Sequence, residues 1–557
     1  MSRRSLRLLS QGVWAKSHCS RMPYISTYLI LPTARGGVRT FFNAVDQISD
    51  IVEGSESKRK RTRWERMKEA LHKMLDTAAV TFGSLAILGI SGLLYHEYYK
   101  VRVLNKIEHA FERGDASLDR ALSFRTSDPD EEWVIRDEQE LIDRAVSGST
   151  TGRYFLLIGE KGTGKTSMLL EAMRRVDGLN CTMFECHGDP EIVRIRLGKA
   201  VNYHFHEDYI GSLFSIRGPR DTTALLDIER AFDKLEEVAL YRSKSVNRPM
   251  VLIVNSVHLL REDADGQDLL ELLQQRAESF AASGLVTMIF NSDDYWVYER
   301  FKALGTRCDV VTIKDLTRQK TVEALNHWRQ KYFHEAISNE MANAIYDVIG
   351  GRPQFLNRVA QHKDMMAHAK SIVEREKTWF LNQCGLLGME MDDDVMESGK
   401  FSGSAMLLMK KLVDMDRAHR ARNGEPEVTA DHVLPSLPLW RARQVMTRAD
   451  YIQRYDNLNI FTIDSNSNVR ADSLPMMEAF RQIAAMPGFD KLLENTLDRV
   501  SQIESLGRTK ELVLKDLVGD GKYRISIEQG DMRDGIMFEY VPPEEEEDDA
   551  IEYEDMK

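Results

Sequence analysis

Residues 154–166 read Tyr154-Phe155-Leu156-Leu157-Ile158-Gly159-Glu160-Lys161-Gly162-Thr163-Gly164-Lys165-Thr166, followed by SMLLEAM. Five apolar residues bounded by glycine predict a buried strand, and the apolar run after Thr166 predicts a helix. The segment between them has the form G-x-x-x-x-G-K-T, a phosphate-binding loop in its strand–loop–helix context. Its glycines let backbone N–H groups curl around the β- and γ-phosphates, and the helix N-terminus adds a favourable dipole. Lys165 neutralises phosphate charge, and Thr166 offers a hydroxyl to Mg²⁺. Gly159, Glu160, Lys161, Gly162, Thr163, Gly164, Lys165 and Thr166 are therefore the candidate site for ATP and Mg²⁺.

A second buried strand, residues 249–254, has to bring the acids that hold metal-bound water and polarise the attacking one. Here the pattern is broken. In one register Asn255 and Ser256 occupy the two acidic positions, and in the other Val254 and Asn255 do. An amide such as Asn255 holds a metal-bound water but is no general base, which argues against fast hydrolysis. Glu262, Asp263 and Asp265 follow on a loop where solvated acids are the default.

A third strand, residues 285–290, ends in Asn291-Ser292-Asp293. Asn291 stands where a γ-phosphate sensor sits beside such a loop, or else is a strand-end cap. Arg307 precedes a last core strand, at the usual place of an arginine finger reaching a neighbouring subunit, and a surface role is the alternative. Helices then lead to Gly350-Gly351-Arg352-Pro353, where glycines stop one helix and proline opens the next.

Over roughly residues 130–375 these features resemble the AAA+ superfamily, in particular its origin-recognition/STAND-like branch. The resemblance rests on the loop Gly159 to Thr166, the degenerate strand before Ser256, Asn291, and the Gly350-Gly351-Arg352-Pro353 turn. It implies a doubly wound parallel sheet, a small helical lid over adenine, and ATP-driven conformational change. By position, Arg352 takes the second-sensor role. Loss of the acidic pair departs from the family and puts hydrolysis, not binding, in question.

Beyond residue 395 a helix set is followed by a strand, a polar turn and a strand, which looks like a winged helix. Arg441, Arg443, Arg448 and Arg454 form a DNA-reading face or an ordinary solvated surface. The wing carries only Arg470 beside acids, so protein contact is preferred. Residues 489–518 read as a helix with Leu492, Leu493, Leu497, Val500 and Ile503 on one face. The chain ends in an acidic block beginning with Glu544 to Asp549, a self-repelling tail.

Of the 557 residues 43% are hydrophobic and 29% charged, which excludes a disordered or collagen-like chain. Five cysteines are too few for a disulfide scaffold, and Cys181 and Cys186, without a second pair, read as buried thiols rather than a zinc site. The net charge of −12 is unevenly spread. Residues 1–45 hold seven Arg or Lys and no acid before Asp46, the signature of a mitochondrial transit peptide, or of a basic tail. Residues 77–95 are uncharged over about 28 Å of helix, enough to cross a bilayer once. Eight basic residues in the 20 before this span and four in the 20 after it place the N-terminal side in the matrix. The body of the chain then faces the intermembrane space from the mitochondrial inner membrane. This plan also resembles the fungal mitochondrial escape protein family, although no RNA-recognition module is seen.

The expected organisation is a transit peptide (1–41), a basic matrix-side segment (42–76), a transmembrane helix (77–95), and a helical stalk and linker (96–129). A nucleotide-binding core (130–315), a helical lid (316–394) and a winged-helix-like domain (395–486) follow. A helix and strand extension (487–541) and an acidic tail (542–557) complete it. The expected function is membrane-anchored ATP binding whose state controls contacts to a protein partner or to other copies, with weak or no hydrolysis. The alternatives are an ATPase remodelling inner-membrane proteins and a tether of mitochondrial nucleic acid, the latter disfavoured by the acidic balance.

Overall fold

The computed structural model describes residues 63–112, 114, 136–205, 223–244, 246, 248–388, 391–423, 431–515, 522–529 and 534–541. The segments expected to form a transit peptide, a basic matrix-side segment before Arg63, most of the linker and an acidic tail lie outside these residues. The chain divides into two compact units, Met1–Ser91 and Gly92–Lys557.

In the first unit the described residues are all helical, part of a helix spanning Arg63–His109. Its apolar side chains, among them Val80, Phe82, Ile87 and Ile90, are exposed. A helix this long and apolar, with none of its most hydrophobic window buried, is a candidate membrane span.

In the second unit, five parallel strands form one sheet: β1 (Tyr154–Ile158), β2 (Cys181–Glu185), β3 (Met250–Asn255), β4 (Val286–Ser292) and β5 (Cys308–Thr312). Their order is β2-β3-β4-β1-β5. This is the doubly wound arrangement expected. Alternate residues serve opposite faces, which is why β1 and β3 read as unbroken apolar runs. Tyr154, Leu156, Met250, Leu252 and Val254 join one core with the helices Ala224–Ser243 and Ala264–Ser283. Phe155, Leu157, Val251 and Ile253 join a second core with the helices Gln139–Val146 and Lys165–Arg175. Cys181 and Cys186 are buried thiols, and burial pushes Cys186 up to about 12.

The predicted stalk is not free. Val103 and Ile107, one turn apart on the helix, and Phe111 just beyond its end are buried in the first of these cores. Each buried side chain of this size contributes about 1.5–3 kcal/mol, so the end of the helix is part of the nucleotide-binding body. The helix itself stops at His109.

Four helices follow the sheet: Arg318–Phe333, Asn339–Ile349, Pro353–Ala360 and Met365–Cys384. The first three and the start of the fourth share a small core of their own around Leu325, Ile345, Leu356 and Ile372, which is the lid. Gly350, at φ +72°, ends the second helix, and Pro353 opens the third.

The winged helix comprises the helices Met396–Asn423, Leu439–Met446, Ile452–Asn457 and Leu474–Ala484. Its antiparallel sheet is formed by β6 (Ser436–Pro438), β7 (Phe461–Ile463) and β8 (Asn468–Ala471) in the order β6-β8-β7. Phe380, Phe461 and Phe480 pack at its centre. Strand β6 was not expected from the sequence. The helix Phe489–Lys515 buries Leu493, Val500 and Ile503 but leaves Leu492 exposed. A hairpin of β9 (Lys522–Gln529) and β10 (Asp534–Val541) follows.

Candidate nucleotide site at the carboxyl edge of the sheet

Because the strands are parallel and in register, Ile158, Glu185, Asn255, Ser292 and Thr312 all end at one edge. The phosphate loop leaves β1 there. Gly162 and Gly164 have φ of +85° and +97°, conformations that side-chain-bearing residues rarely adopt, so the loop turns back on itself before the helix begins at Lys165. Thr163 Oγ1 donates to the Glu160 carbonyl over 2.9 Å and fixes the turn.

Lys165 is only 4% exposed. Its Nζ donates to the carbonyls of Gly159 (2.8 Å) and Glu160 (2.9 Å) and pairs with Asp293 Oδ1 at 2.8 Å. The charge that would meet a phosphate is thus met by a carboxylate of the chain itself. Asp293 also approaches His258 Nε2 at 3.6 Å, and His258 Nδ1 accepts from the Asp293 backbone N–H. Burial lowers His258 below the ordinary histidine value; Asp293 opposes this, whereas Lys165 and Lys161 reinforce it.

Asn255 is the last residue of β3, and Ser256 follows in a left-handed turn, φ +56°. Of the two sequence registers, the structure selects the one with Asn255 at the first acidic position. Asn255 Oδ1 accepts from Thr166 Oγ1 at 3.1 Å and from Asn291 Nδ2 at 2.6 Å, and Asn291 Nδ2 also donates to Thr166 Oγ1 at 3.1 Å. Loop, second strand and third strand therefore meet in one triangle, with Asn255 and Asn291 buried and Thr166 half-buried. Asn291 Oδ1 is buried without a partner. No cluster of three metal-ligating side chains exists among the described residues. The oxygens of Thr166 and Asn255 fit Mg²⁺ as it usually binds in such sites, held by substrate phosphates and water with few protein ligands.

The lid and the winged helix both reach the loop. Gln354 N donates to the Gly162 carbonyl at 3.3 Å. A cleft of about 390 Å³ lies between them, lined by Gly164, Lys165, Thr166, Ser167, Asp293 and Trp328 among others. On the other side of the loop, Glu160 is paired with Arg470 of β8. A second cleft of about 450 Å³ separates Gly159 and Thr312 from the wing residues Thr462, Asp464 and Arg470.

Arg352 lies in this junction and not at the loop. It is 2% exposed, pairs with Asp315 at 3.2 Å and with Asp472 just after β8, and donates from Nη2 to the Asp472 carbonyl at 2.6 Å. Burial disfavours its charge, but Asp315, Asp472 and Glu160 hold it above the ordinary arginine value. Arg307 stands at the opposite, amino-terminal edge of the sheet, exposed, where its carbonyl accepts from Tyr154 N and its own N–H donates to Glu278. It is outside the site within its own chain.

Two of the four arginines considered for nucleic acid already have partners within the chain. Arg441 and Arg443 are exposed, Arg448 pairs with Glu397, and Arg454 lies over the Phe401 ring. Sequence reasoning missed Glu185, Asp293 and the wing contact of Glu160. The apolar run before Glu185 was the available signal for β2; nothing in the sequence pairs Glu160 with Arg470.

Residues 132–288 match the family described as AAA ATPase domain, and residues 382–504 match the family described as fungal AAA protein, C-terminal winged helix domain. The sheet is of the AAA type, followed by a winged helix. Comparison with curated proteins returns no match. Among solved structures, the Walker-type ATPase PABY2304 of Pyrococcus abyssi is similar at 14% identity and TM-score 0.42, over 64% of this chain and 99% of that one. ORC1 of Aeropyrum pernix, solved in complex with DNA, is similar at 15% identity and TM-score 0.31, over 64% and 94%. ORC2 of Aeropyrum pernix, solved as ADPNP and ADP complexes, is similar at 13% identity and TM-score 0.34, over 69% and 98%.

Proposed function

We propose that this protein is a membrane-anchored nucleotide switch, in which MgATP at the loop Gly159 to Thr166 sets the position of the winged helix and so its contacts to a protein partner or to further copies of the chain. The observation that carries this reading is the pairing of Glu160, inside the phosphate loop, with Arg470 of the wing. A loop that rearranges around phosphates cannot do so without straining that pair, and the buried Arg352 ties the same wing to the lid through Asp472. Phosphate oxygens would compete with Asp293 for Lys165, releasing a carboxylate at the mouth of the wing cleft.

The neutral Asn255 at the metal position makes turnover slow, which suits a switch better than a motor. Residues 77–95 anchor the protein; the acid-free N-terminus and the flanking charges favour the mitochondrial inner membrane with the body in the intermembrane space. Arg307, exposed at the far edge, serves a neighbouring copy as an arginine finger in this reading. Arg352, paired with Asp315 and Asp472, holds lid and wing together instead of reaching the nucleotide as a second sensor. The engagement of Arg448 with Glu397 and of Arg454 with Phe401 favours a protein partner over nucleic acid.

Hydrogen exchange of the full chain in detergent, with and without MgATP, tests the switch. Protection of residues 461–471 changes on nucleotide binding in the wild type and not in Lys165→Ala. Unchanged exchange in the wing at saturating MgATP would refute it.

A further inference from the structure

The tip of β3 holds no acid, but an acid stands beside it. Glu185 ends β2 in register with Asn255, and its Oε1 lies 3.5 Å from Asn255 Nδ2. Asn255 joins Thr166 and Asn291 through its other side-chain atom, so Glu185 borders the triangle into which the metal and the γ-phosphate of ATP would fit. The backbone of Glu185 is fixed by the sheet, while its carboxylate is 60% exposed and, among the described residues, is approached by Asn255 and by Arg196 Nη1 at 4.0 Å. It is free to turn toward a water.

The other acids of this edge are committed elsewhere. Asp293 holds Lys165, Glu160 holds Arg470, and Glu262 lies on the exposed turn after β3. Asp294 is half-buried between the two sides: burial and Asp293 disfavour its charge while Lys165 and Lys161 favour it, and it in turn raises the buried Asp456.

We infer that Glu185 is the general base for slow ATP hydrolysis in this chain, supplying from β2 the carboxylate that β3 lacks. The inference rests on the nucleotide-binding reading above. A water beside Glu185 attacks the γ-phosphorus; its oxygen–phosphorus bond forms as the bond to the β,γ-bridging oxygen breaks, and that electron pair leaves on ADP. The water proton passes to the Glu185 carboxylate and from there to the departing phosphate. ATP and water are the only reactants, ADP and inorganic phosphate the products.

The test measures phosphate release and binding of a fluorescent ATP analogue on the full chain in detergent, for wild type, Lys165→Ala, Glu185→Gln and Glu185→Asp. Glu185→Gln is isosteric at an exposed strand end, and an unchanged melting midpoint confirms that it folds. The wild type should turn over ATP faster than Lys165→Ala. Glu185→Gln should lower kcat about 100-fold or more while ATP affinity stays within about threefold, as expected for loss of a general base. Glu185→Asp, which withdraws the carboxylate by one methylene, should fall between them. Wild-type turnover by Glu185→Gln would overturn the inference, as would ATP binding by the wild type with no more hydrolysis than Lys165→Ala. Failure of the wild type to bind ATP at all would instead remove the nucleotide-binding reading, and this inference with it.

Discussion

Arg470, on the last strand of the wing hairpin, is paired with Glu160, the second residue of the phosphate loop. The two are 310 residues apart in sequence, and the side chain of Glu160 is 7% exposed. An unpaired carboxylate so buried is costly, so Arg470→Ala should destabilise the second unit by roughly 2–4 kcal/mol. Glu160→Ala with Arg470→Ala should cost less than the sum of the two single changes. Melting of the four proteins in a double-mutant cycle checks this, and strict additivity would mean that the pair carries no coupling.

Asp293 occupies Lys165 where a phosphate would sit. Nucleotide must displace it, so Asp293→Asn should tighten ATP binding by about tenfold, equivalent to about 1.4 kcal/mol. Lys165→Ala should abolish binding. Titration with a fluorescent ATP analogue measures both, and weaker binding by Asp293→Asn would assign the aspartate to the bound state instead.

The junction between core and winged helix should respond to pH. Burial, with Asp293 nearby, raises Asp294 to about 7, and burial with Asp294 nearby raises Asp456 well above the ordinary carboxylate value. Asp456 Oδ2 accepts from Tyr295 N at 2.9 Å, so the two acids meet where the helix Tyr295–Leu304 meets the winged helix. A carboxyl group raised in the folded state binds more protons there than when unfolded. Its contribution is therefore present at low pH and is lost as pH rises from about 4 through about 7. Denaturant melts across this window should show falling stability for the wild type and a flatter profile for Asp294→Asn.

How much of this was legible depended on whether the signal was local. The loop Gly159 to Thr166 is a contiguous pattern whose spacing is dictated by phosphate geometry, and it placed the sheet edge and Asn291 at once. Glu185 ends a five-residue strand with no turn motif to announce it, and short apolar runs carry little periodic signal. The stripe Val103, Ile107 and Phe111 had the right spacing, but the longer apolar run before it dominated the reading. Arg352 was found by its place after the double glycine, yet its partners Asp315 and Asp472 depend on how the wing docks, which no local pattern encodes.

Asn255 offers the sharpest test of the metal position. Its Oδ1 already accepts from Thr166 and Asn291, so Asn255→Asp keeps both acceptor contacts and adds a negative charge beside the Thr166 hydroxyl. The half-saturating Mg²⁺ concentration for ATP binding should fall by about tenfold, equivalent to about 1.4 kcal/mol. The nucleotide-free protein should pay for this in stability, because the Nδ2 that approaches Glu185 becomes a carboxylate oxygen facing another carboxylate. Asn255→Ala should behave differently: it leaves Asn291 Nδ2 and the Thr166 hydroxyl without their buried acceptor, a loss of about 1–3 kcal/mol with no gain in metal affinity. Mg²⁺ titrations at fixed ATP, read beside melting midpoints, separate the two variants. Equal Mg²⁺ dependence in wild type and Asn255→Asp would place the metal away from β3 altogether.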